Sequence, residues 1–269
     1  MLVVVLWVLF FLSVTALTLG FKNRIGIRLQ SLSNEQMRMT YLAREGINRC
    51  VGILAADTNG FDAVSEEWSK NFSLQNEEGL LLCKVIDEDG LLNINTVPRE
   101  MLQALKTAFP RIDEDMLTAL EKARPFNVSR EVLDATSLDG QDFYGDPALD
   151  KAGLSALITV FSDGRININT APEEVLALIP EMTETAIEAI VSRRVNAPFE
   201  KNETLSEELS LLGLTPSQVS AVVKAGKVDS TVFRIVAEAV SQRRHISKRM
   251  EMIVKRQEHK FTILLAKEK

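Results

Sequence analysis

At 269 residues, 46% hydrophobic and 25% charged, the chain has ample apolar material for a core and fits one large or two modest domains. Its net charge of −6 gives no general support to nucleic-acid binding. The charge is uneven: from Val232 to the end ten Lys/Arg stand against four Asp/Glu, a surplus of +6 that leaves −12 on the rest.

The chain opens with MLVVVLWVLFFLSVTALTLGF, apolar from Leu2 to Phe21 except at Ser13, Thr15, Thr18 and Gly20. About 20 such residues cross a hydrocarbon core of ~30 Å, so residues 1–21 predict a transmembrane helix. A cleaved secretory signal is the competing reading. The run exceeds the usual apolar core of such signals, and no A-x-A site closes it. Lys22 and Arg24 follow the span and no basic residue precedes it, which alone would leave the bulk of the chain in the cytoplasm. Beyond the span, Leu29, Leu32, Gln36, Met39, Ala43, Gly46, Cys50 and Ile53 recur at alternating spacings of three and four. That is one stripe on a helix, so residues 22–56 predict an amphipathic stem continuous with the membrane segment, on the order of 80 Å in all.

A polar loop from Asp57 to Asn76 leads into the strand candidate LLLCKVI, and ALITVF (Ala156 to Phe161) is a second short run. Near the C-terminus Phe233, Ile235, Ala237 and Ala239 alternate with polar positions, then Met250, Met252 and Val254, and FTILLA follows, which reads as a β-meander. Helices fill the interval from about Pro98 to Lys227.

Within that interval one phrase occurs twice, DGLLNINTVPREML from Asp89 and DGRININTAPEEVL from Asp163, identical at nine of fourteen positions. Thr170 with Pro172 and Glu173 predicts a capping box opening a helix to Leu178. A turn at Ile179-Pro180-Glu181-Met182 and a helix from Thr183 to Arg194 follow, then Ala197-Pro198-Phe199. The first copy reads alike, with helices to Ala108 and from about Asp115 to Lys122, then Arg124-Pro125-Phe126. These are two helix-hairpin-helix units, and the phrase is the lead-in to each. Such units often bind DNA phosphates through glycine hairpins, which makes a membrane-anchored DNA-binding protein of uptake type the alternative function. Here neither hairpin has glycine, Glu181 or Asp113 stands where a phosphate would sit, and the units carry −4 and −2. Charge of that sign repels phosphate, so no nucleic-acid partner is expected.

The apolar start with VLWVLFFLSV, the stem with YLAREGINRCVGIL and the segment ALITVFSDGRININTAPEEVL resemble the K-type minor pseudopilins of type II secretion, general secretion pathway protein K. The resemblance implies an α+β, pilin-like fold, with a long N-terminal helix packed on an antiparallel β-sheet. It divides the chain into 57–95 and 228–269 as sheet body and 96–227 as an inserted helical domain holding both hairpin units. It implies no enzyme but a structural subunit at the tip of the pseudopilus, present once, supporting export of folded proteins from the periplasm. Its partners would be the other minor pseudopilins and the major pseudopilin, docking along Leu29, Leu32, Met39, Ala43, Gly46, Cys50 and Ile53. It places the chain in the bacterial inner membrane, single-pass, with the bulk in the periplasm. A short basic leader cut by the prepilin peptidase is expected before Met1, reversing the orientation that Lys22 and Arg24 alone would give. The family's pilin-type glutamate position falls near Val4, where the K-type typically lacks the acid.

No constellation of acid, base and nucleophile is visible. His245 and His259 read as solvated strand histidines. Cys50 and Cys83 are either two buried thiols or a stem-to-strand bridge. Asp139, Asp142 and Asp146 supply oxygen ligands in one loop and Asp87-Glu88-Asp89-Gly90 in another. Calcium favours such loops, and the resemblance points to calcium in the helical domain, although the spacing is no EF-hand and capped turns explain the same residues. No cofactor is required, and calcium is the one candidate ion. Arg243, Arg244, Lys248 and Arg249 form a basic C-terminal group that faces an acidic partner or stays solvated.

Overall fold

The structure, a computed structural model, describes residues 1–146, 151–243, 246–258 and 260–268. Helix α1 (Leu2–Ala56) is unbroken over 55 residues, about 80 Å at 1.5 Å per residue. No proline interrupts it, and the hydroxyls of Ser13, Thr15 and Thr18 fold back to donate to carbonyls three or four residues earlier. Its apolar first part is wholly exposed and long enough to cross a membrane, which fits a single-pass membrane anchor. Its second half buries Glu35, Met39, Leu42, Ala43, Gly46, Ile47, Cys50 and Leu54, one face at helical spacing. The helix ends at Asp57, whose extended backbone (φ −75°, ψ 115°) turns the chain away.

Strands β1 (Phe72–Gln75) and β2 (Gly79–Asp87) form a hairpin. The chain then passes through β3 (Leu92–Asn93), α2 (Arg99–Ala108), α3 (Glu114–Ala123), α4 (Arg130–Thr136), α5 (Gly140–Tyr144), β4 (Gly145–Asp146), β5 (Lys151–Ala152) and β6 (Ile158–Thr159). A second passage comprises β7 (Ile166–Asn167), α6 (Glu173–Leu176), α7 (Glu184–Asn196), α8 (Leu205–Leu211), α9 (Pro216–Ala225) and β8 (Gly226–Lys227). Finally β9 (Val232–Ser241), β10 (Ser247–Gln257) and β11 (Lys260–Glu268) return as a meander. The five long strands form one antiparallel sheet in the order β1-β2-β9-β10-β11. Neighbours β2 and β9 pair from Gly79↔Ser241 to Asp87↔Phe233, so everything between Asp87 and Val232, more than half the chain, is inserted at one end of the sheet.

Two separate cores result. Met39, Leu42, Ile47 and Leu54 of α1 pack on Leu81, Val85, Phe233, Ile235 and Ala237, with Trp68 edge-on to Phe233 at 5.2 Å between ring centres. The insert has its own larger core, built around Leu102, Leu105, Leu117, Leu120, Val175, Ile190, Phe199 and Val222.

The predicted alternation holds in β9, where Phe233, Ile235, Ala237 and Ala239 are buried. It holds in β10 as well: Met250, Met252 and Val254 pair with Ala237, Ile235 and Phe233 and lie against the stem core, Val254 buried and the two methionines half-covered, while Ile253, opposite Arg234, is buried on the other face. It fades in β11, an edge strand with Ile263 and Leu264 exposed. The helix expected to Leu178 is the four-residue α6, followed by tight turns. The capping box at Thr170 does not form: Thr170 donates its hydroxyl to Asp87 at 2.5 Å, because a buried carboxylate there needs donors. A capping box does open α9, between Thr215 and Gln218.

The closeness of α1 to the sheet rests on Gly46. A Cβ there would overlap Cys83 Sγ and come within 2.9 Å of Leu81 Cδ1. Gly52, six residues on, would meet nothing within 4 Å. The two substitutions should therefore have opposite signs in thermal unfolding. Gly46→Ala lowers stability by about 1 kcal/mol, overpacking outweighing helix propensity. Gly52→Ala raises it by up to about 1 kcal/mol.

Candidate functional site

The repeated phrase is a clamp, used twice. In the second copy Asn167 Oδ1 accepts from the Asn169 N–H at 3.0 Å, turning the chain. Asn169 then reaches thirty residues on: its Nδ2 donates to the Phe199 carbonyl at 2.8 Å and its Oδ1 accepts from the Phe199 N–H at 2.9 Å. In the first copy Asn93 turns the chain to Asn95 at 2.9 Å, and Asn95 holds Phe126 through the same two bonds, at 2.9 and 2.7 Å. Each hairpin unit is thereby closed on itself, since the backbone of its Pro-Phe segment is matched by one side-chain amide. Arginines add to this: buried Arg194 donates to the carbonyls of Ile168 and Ala171, and half-buried Arg124 to that of Val97.

The two copies also lock to each other. The Asn167 N–H donates to the Asp89 carbonyl at 2.8 Å, and Asn93 Nδ2 donates to the Ser162 carbonyl. Gly90 lies against Thr170, where a Cβ would sit 2.7 Å from Oγ1, and Gly164 lies against Thr96 with a backbone φ of +97° that favours glycine. Each Asp-Gly thus abuts the threonine of the other phrase.

A buried polar seam fastens this insert to the sheet body. At the end of β2, Asp87 is enclosed, and its Oδ2 accepts from Ser230 Oγ (2.5 Å), Thr170 Oγ1 (2.5 Å) and Asn167 Nδ2 (3.0 Å), while Oδ1 accepts from the Asp89 N–H (2.8 Å). Burial, helped by neighbouring Asp89, pushes its pKa up to about 6. Asp89 accepts from Thr231 N–H and faces Lys227 Nζ at 3.1 Å. Burial works to lower the Lys227 pKa, but Asp89 and Asp163 outweigh it and raise it, so this enclosed lysine stays charged. Glu88 bonds Arg234 and accepts from Thr159. Arg256 reaches from β10 to Asp62 (2.6 Å), to Asp57 at the end of α1 (3.0 Å) and to the Ser230 carbonyl, lying 4.9 Å over the Phe233 ring.

The predicted partner stripe is divided by this architecture. Met39, Ala43, Gly46 and Cys50 are buried against the chain's own sheet, and Ile53 is half-covered, so these are not open to a partner. Leu29 and Leu32 stay exposed, at 61% and 39%. Among the candidate calcium ligands, Asp139 caps α5, Asp139 and Asp142 both bind Arg111, and Asp146 lies in β4. A calcium ion at Asp139 and Asp142 would compete with Arg111 for the same oxygens. The Asp87-Glu88-Asp89 run faces the donors and cations of the seam. Among the described residues, the acids whose ligand atoms converge within 4.8 Å are Asp57, Asp62 and Glu66, two of them bound by Arg256. In the hairpins, Asp113 caps α3 by accepting from the Met116 N–H, and Thr183 caps α7. In the basic C-terminal group, Arg243 and Arg249 are exposed and Lys248 lies 3.5 Å from Glu268. Arg244, His245 and His259 fall outside the described residues.

This architecture defines the class: a pilin-like protein, with a long anchor-and-stem helix laid on an antiparallel sheet and a helical domain inserted between two adjacent strands. A family model described as type II secretion system (T2SS), protein K, matches residues 166–224, the second clamp and the helices after it. The fold matches a chain in the crystal structure of the GspK-GspI-GspJ complex from the enterotoxigenic Escherichia coli type 2 secretion system, with a TM-score of 0.67 and 14% identity over 90% of this chain and 99% of that one. No curated protein sequence matches significantly. The family match and the shared fold support a type II secretion minor pseudopilin of K type, as the sequence resemblance implied.

Removing one clamp separates its role from that of a simple turn. Asn169→Ala strips the Phe199 backbone of both partners in a buried site and should cost about 2–3 kcal/mol in denaturant unfolding. Asn95→Ala, at a half-buried position, should cost less.

The raised pKa of Asp87 sets a second expectation. The folded chain keeps this proton where the unfolded chain, with an aspartate near its usual ~3.9, has lost it. The resulting stability is full in acid and is lost as pH rises through about 6. Unfolding free energy should therefore fall by on the order of 1 kcal/mol per pH unit between pH 4.5 and 6 from this group, and Asp87→Asn should flatten that slope in melts across the range.

Proposed function

We propose that this chain caps the type II secretion pseudopilus, once per filament, and supports filament assembly and export of folded proteins from the periplasm. The observation that carries this reading is where the insert sits. Glu35 of α1 bonds Ser241 at one end of the sheet, whereas Asp57, at the far end of α1, is tied through Arg256 to Ser230 where the insert rejoins the body. The bulky insert therefore lies at the end of the stem farthest from the apolar anchor. A helical filament repeats one heterologous interface at every level. A domain of this size above each subunit would collide with the next one, and only the top position leaves it room.

The partners in this reading are minor pseudopilins equivalent to GspI and GspJ, named in the similar complex, with the major pseudopilin below. They dock along the part of α1 that the sheet leaves open, around Leu29 and Leu32. The bulk of the chain lies in the periplasm, and the prepilin peptidase processes the N-terminus.

Co-purification from membranes should give one copy of the full chain with each minor partner. Immunogold labelling of isolated pseudopili should mark a single end. Label spaced regularly along the shaft would reject the tip placement, and unchanged export in cells lacking the chain would reject the secretion role.

A further inference from the structure

Strand β2 is longer than the strand beside it. β1 pairs with it only from Leu80 to Cys83, whereas β9 pairs along its whole length from Gly79 to Asp87. The backbone of an antiparallel strand alternates, each residue turning its N–H and C=O towards one neighbour. The Glu88 N–H donates to the Val232 carbonyl at 2.9 Å, so by alternation Leu82, Lys84 and Ile86 also face β9. Val85 and Asp87 therefore face the side that β1 has left. β1 starts late because the chain before it is a short helical turn (Glu67–Ser69), with Trp68 buried in the stem core. Among the described residues no backbone group pairs with Val85 or Asp87 on that side.

An open cleft of about 430 Å³ runs along this bare edge. Its floor is Lys84 to Asp87, one end is Asn71, and the facing wall comes from the insert, chiefly Leu91, Ala156 and Pro172. Two residues only 8% and 6% exposed, Val85 and Asp87, thus turn backbone donors and acceptors towards a space about four strand residues, or ~13 Å, long. Unpaired backbone groups along a sheet edge are matched by another strand, whose own donors and acceptors alternate at the same spacing. The insert and Asn71 enclose the edge, which suits a single extended segment and not a second sheet. Charge selects further. Lys84 is exposed and joins no ion pair among the described residues, whereas the Asp87 carboxylate already has four donors.

We propose that this cleft docks one short extended segment of a second polypeptide, added to β2 as an antiparallel strand in line with β1, with an acidic side chain opposite Lys84. Antiparallel addition continues the sheet, whose neighbouring strands all pair that way. In that register the residues opposite Val85 and Asp87 exchange both backbone bonds with them. Their side chains face the stem side, over apolar Val85 and a carboxylate that needs no further donor, so small uncharged residues fit there. The residues opposite Lys84 and Ile86 face outward, where an acid meets the unpaired ammonium. A segment held in this way touches the sheet and the insert together. The slot stands independently of the tip placement above.

The test uses the full-length protein in detergent micelles and a synthetic peptide, Ser-Val-Thr-Val-Glu-Ser, amidated and carrying a fluorophore at its N-terminus. Its Val-Thr-Val-Glu stretch is set to lie opposite Asp87, Ile86, Val85 and Lys84 in turn. Fluorescence anisotropy should rise to saturation with added protein. Methylating the two valine nitrogens removes the bonds to β2 and should weaken binding about tenfold or more. Methylating the threonine and glutamate nitrogens, which point away from β2, should leave binding unchanged. Lys84→Glu should weaken binding, and lysine in place of the peptide's glutamate should restore it. Ala156→Tyr, at an exposed position, fills the cleft and should abolish binding while the melting temperature is kept. No saturable rise up to ~1 mM, the weak limit for specific binding, overturns the proposal. So does equal loss from both methylated peptides, or full binding by Ala156→Tyr. Binding that follows the lysine–glutamate charge but ignores valine methylation marks a surface ion pair and also overturns it.

Discussion

One enclosed carboxylate, that of Asp87, holds the two halves of this molecule in register. It ends the strand from which the insert departs, and its four hydrogen bonds come from Asp89, Asn167, Thr170 and Ser230. Those donors belong to the first phrase, the second phrase and the return to the sheet. An uncompensated buried carboxyl is costly, so the arrangement is stable only when all of these segments arrive together. Separate hydrophobic cores lie on either side of it, and burial of apolar surface has no direction. The seam supplies the direction.

Around that anchor the seam alternates charge. Lys227 lies between Asp89 and Asp163, Arg234 binds Glu88, and Arg256 binds Asp57 and Asp62. Breaking one partner of such a buried pair leaves the other charge stranded, which makes the junction stiff. Stiffness suits a subunit whose inserted domain must keep a constant attitude to its stem. The doubled phrase contributes by a different route. It builds two self-closed hairpin units from one set of instructions and sets Gly90 and Gly164 against each other's threonines, so the insert has internal near-symmetry without depending on the sheet.

The stem divides its labour along its length. Its first part is exposed and apolar, suited to lipid and to neighbouring helices, while its second half is spent on its own sheet. A stripe with uniform helical spacing therefore serves two surfaces in succession. Spacing reports that a face will be covered and is silent about what covers it.

Much of this was legible from the chain alone. Unbroken α1 follows from continuous periodicity without proline, β9 from alternation, and the helix beginning at Thr183 from the turn before it, because each depends on residues two to four positions apart. The repeated phrase announced two similar units in the same way. What only the tertiary structure decided is partnership over distance. Thr170 answers Asp87 across 83 positions instead of capping a helix, Asn169 holds Phe199 thirty residues on, and Arg111 occupies the oxygens of Asp139 and Asp142. Local pattern constrains the backbone through neighbours that are always near. A polar side chain chooses among donors and acceptors that become neighbours only when the chain has returned, and burial then makes that choice binding.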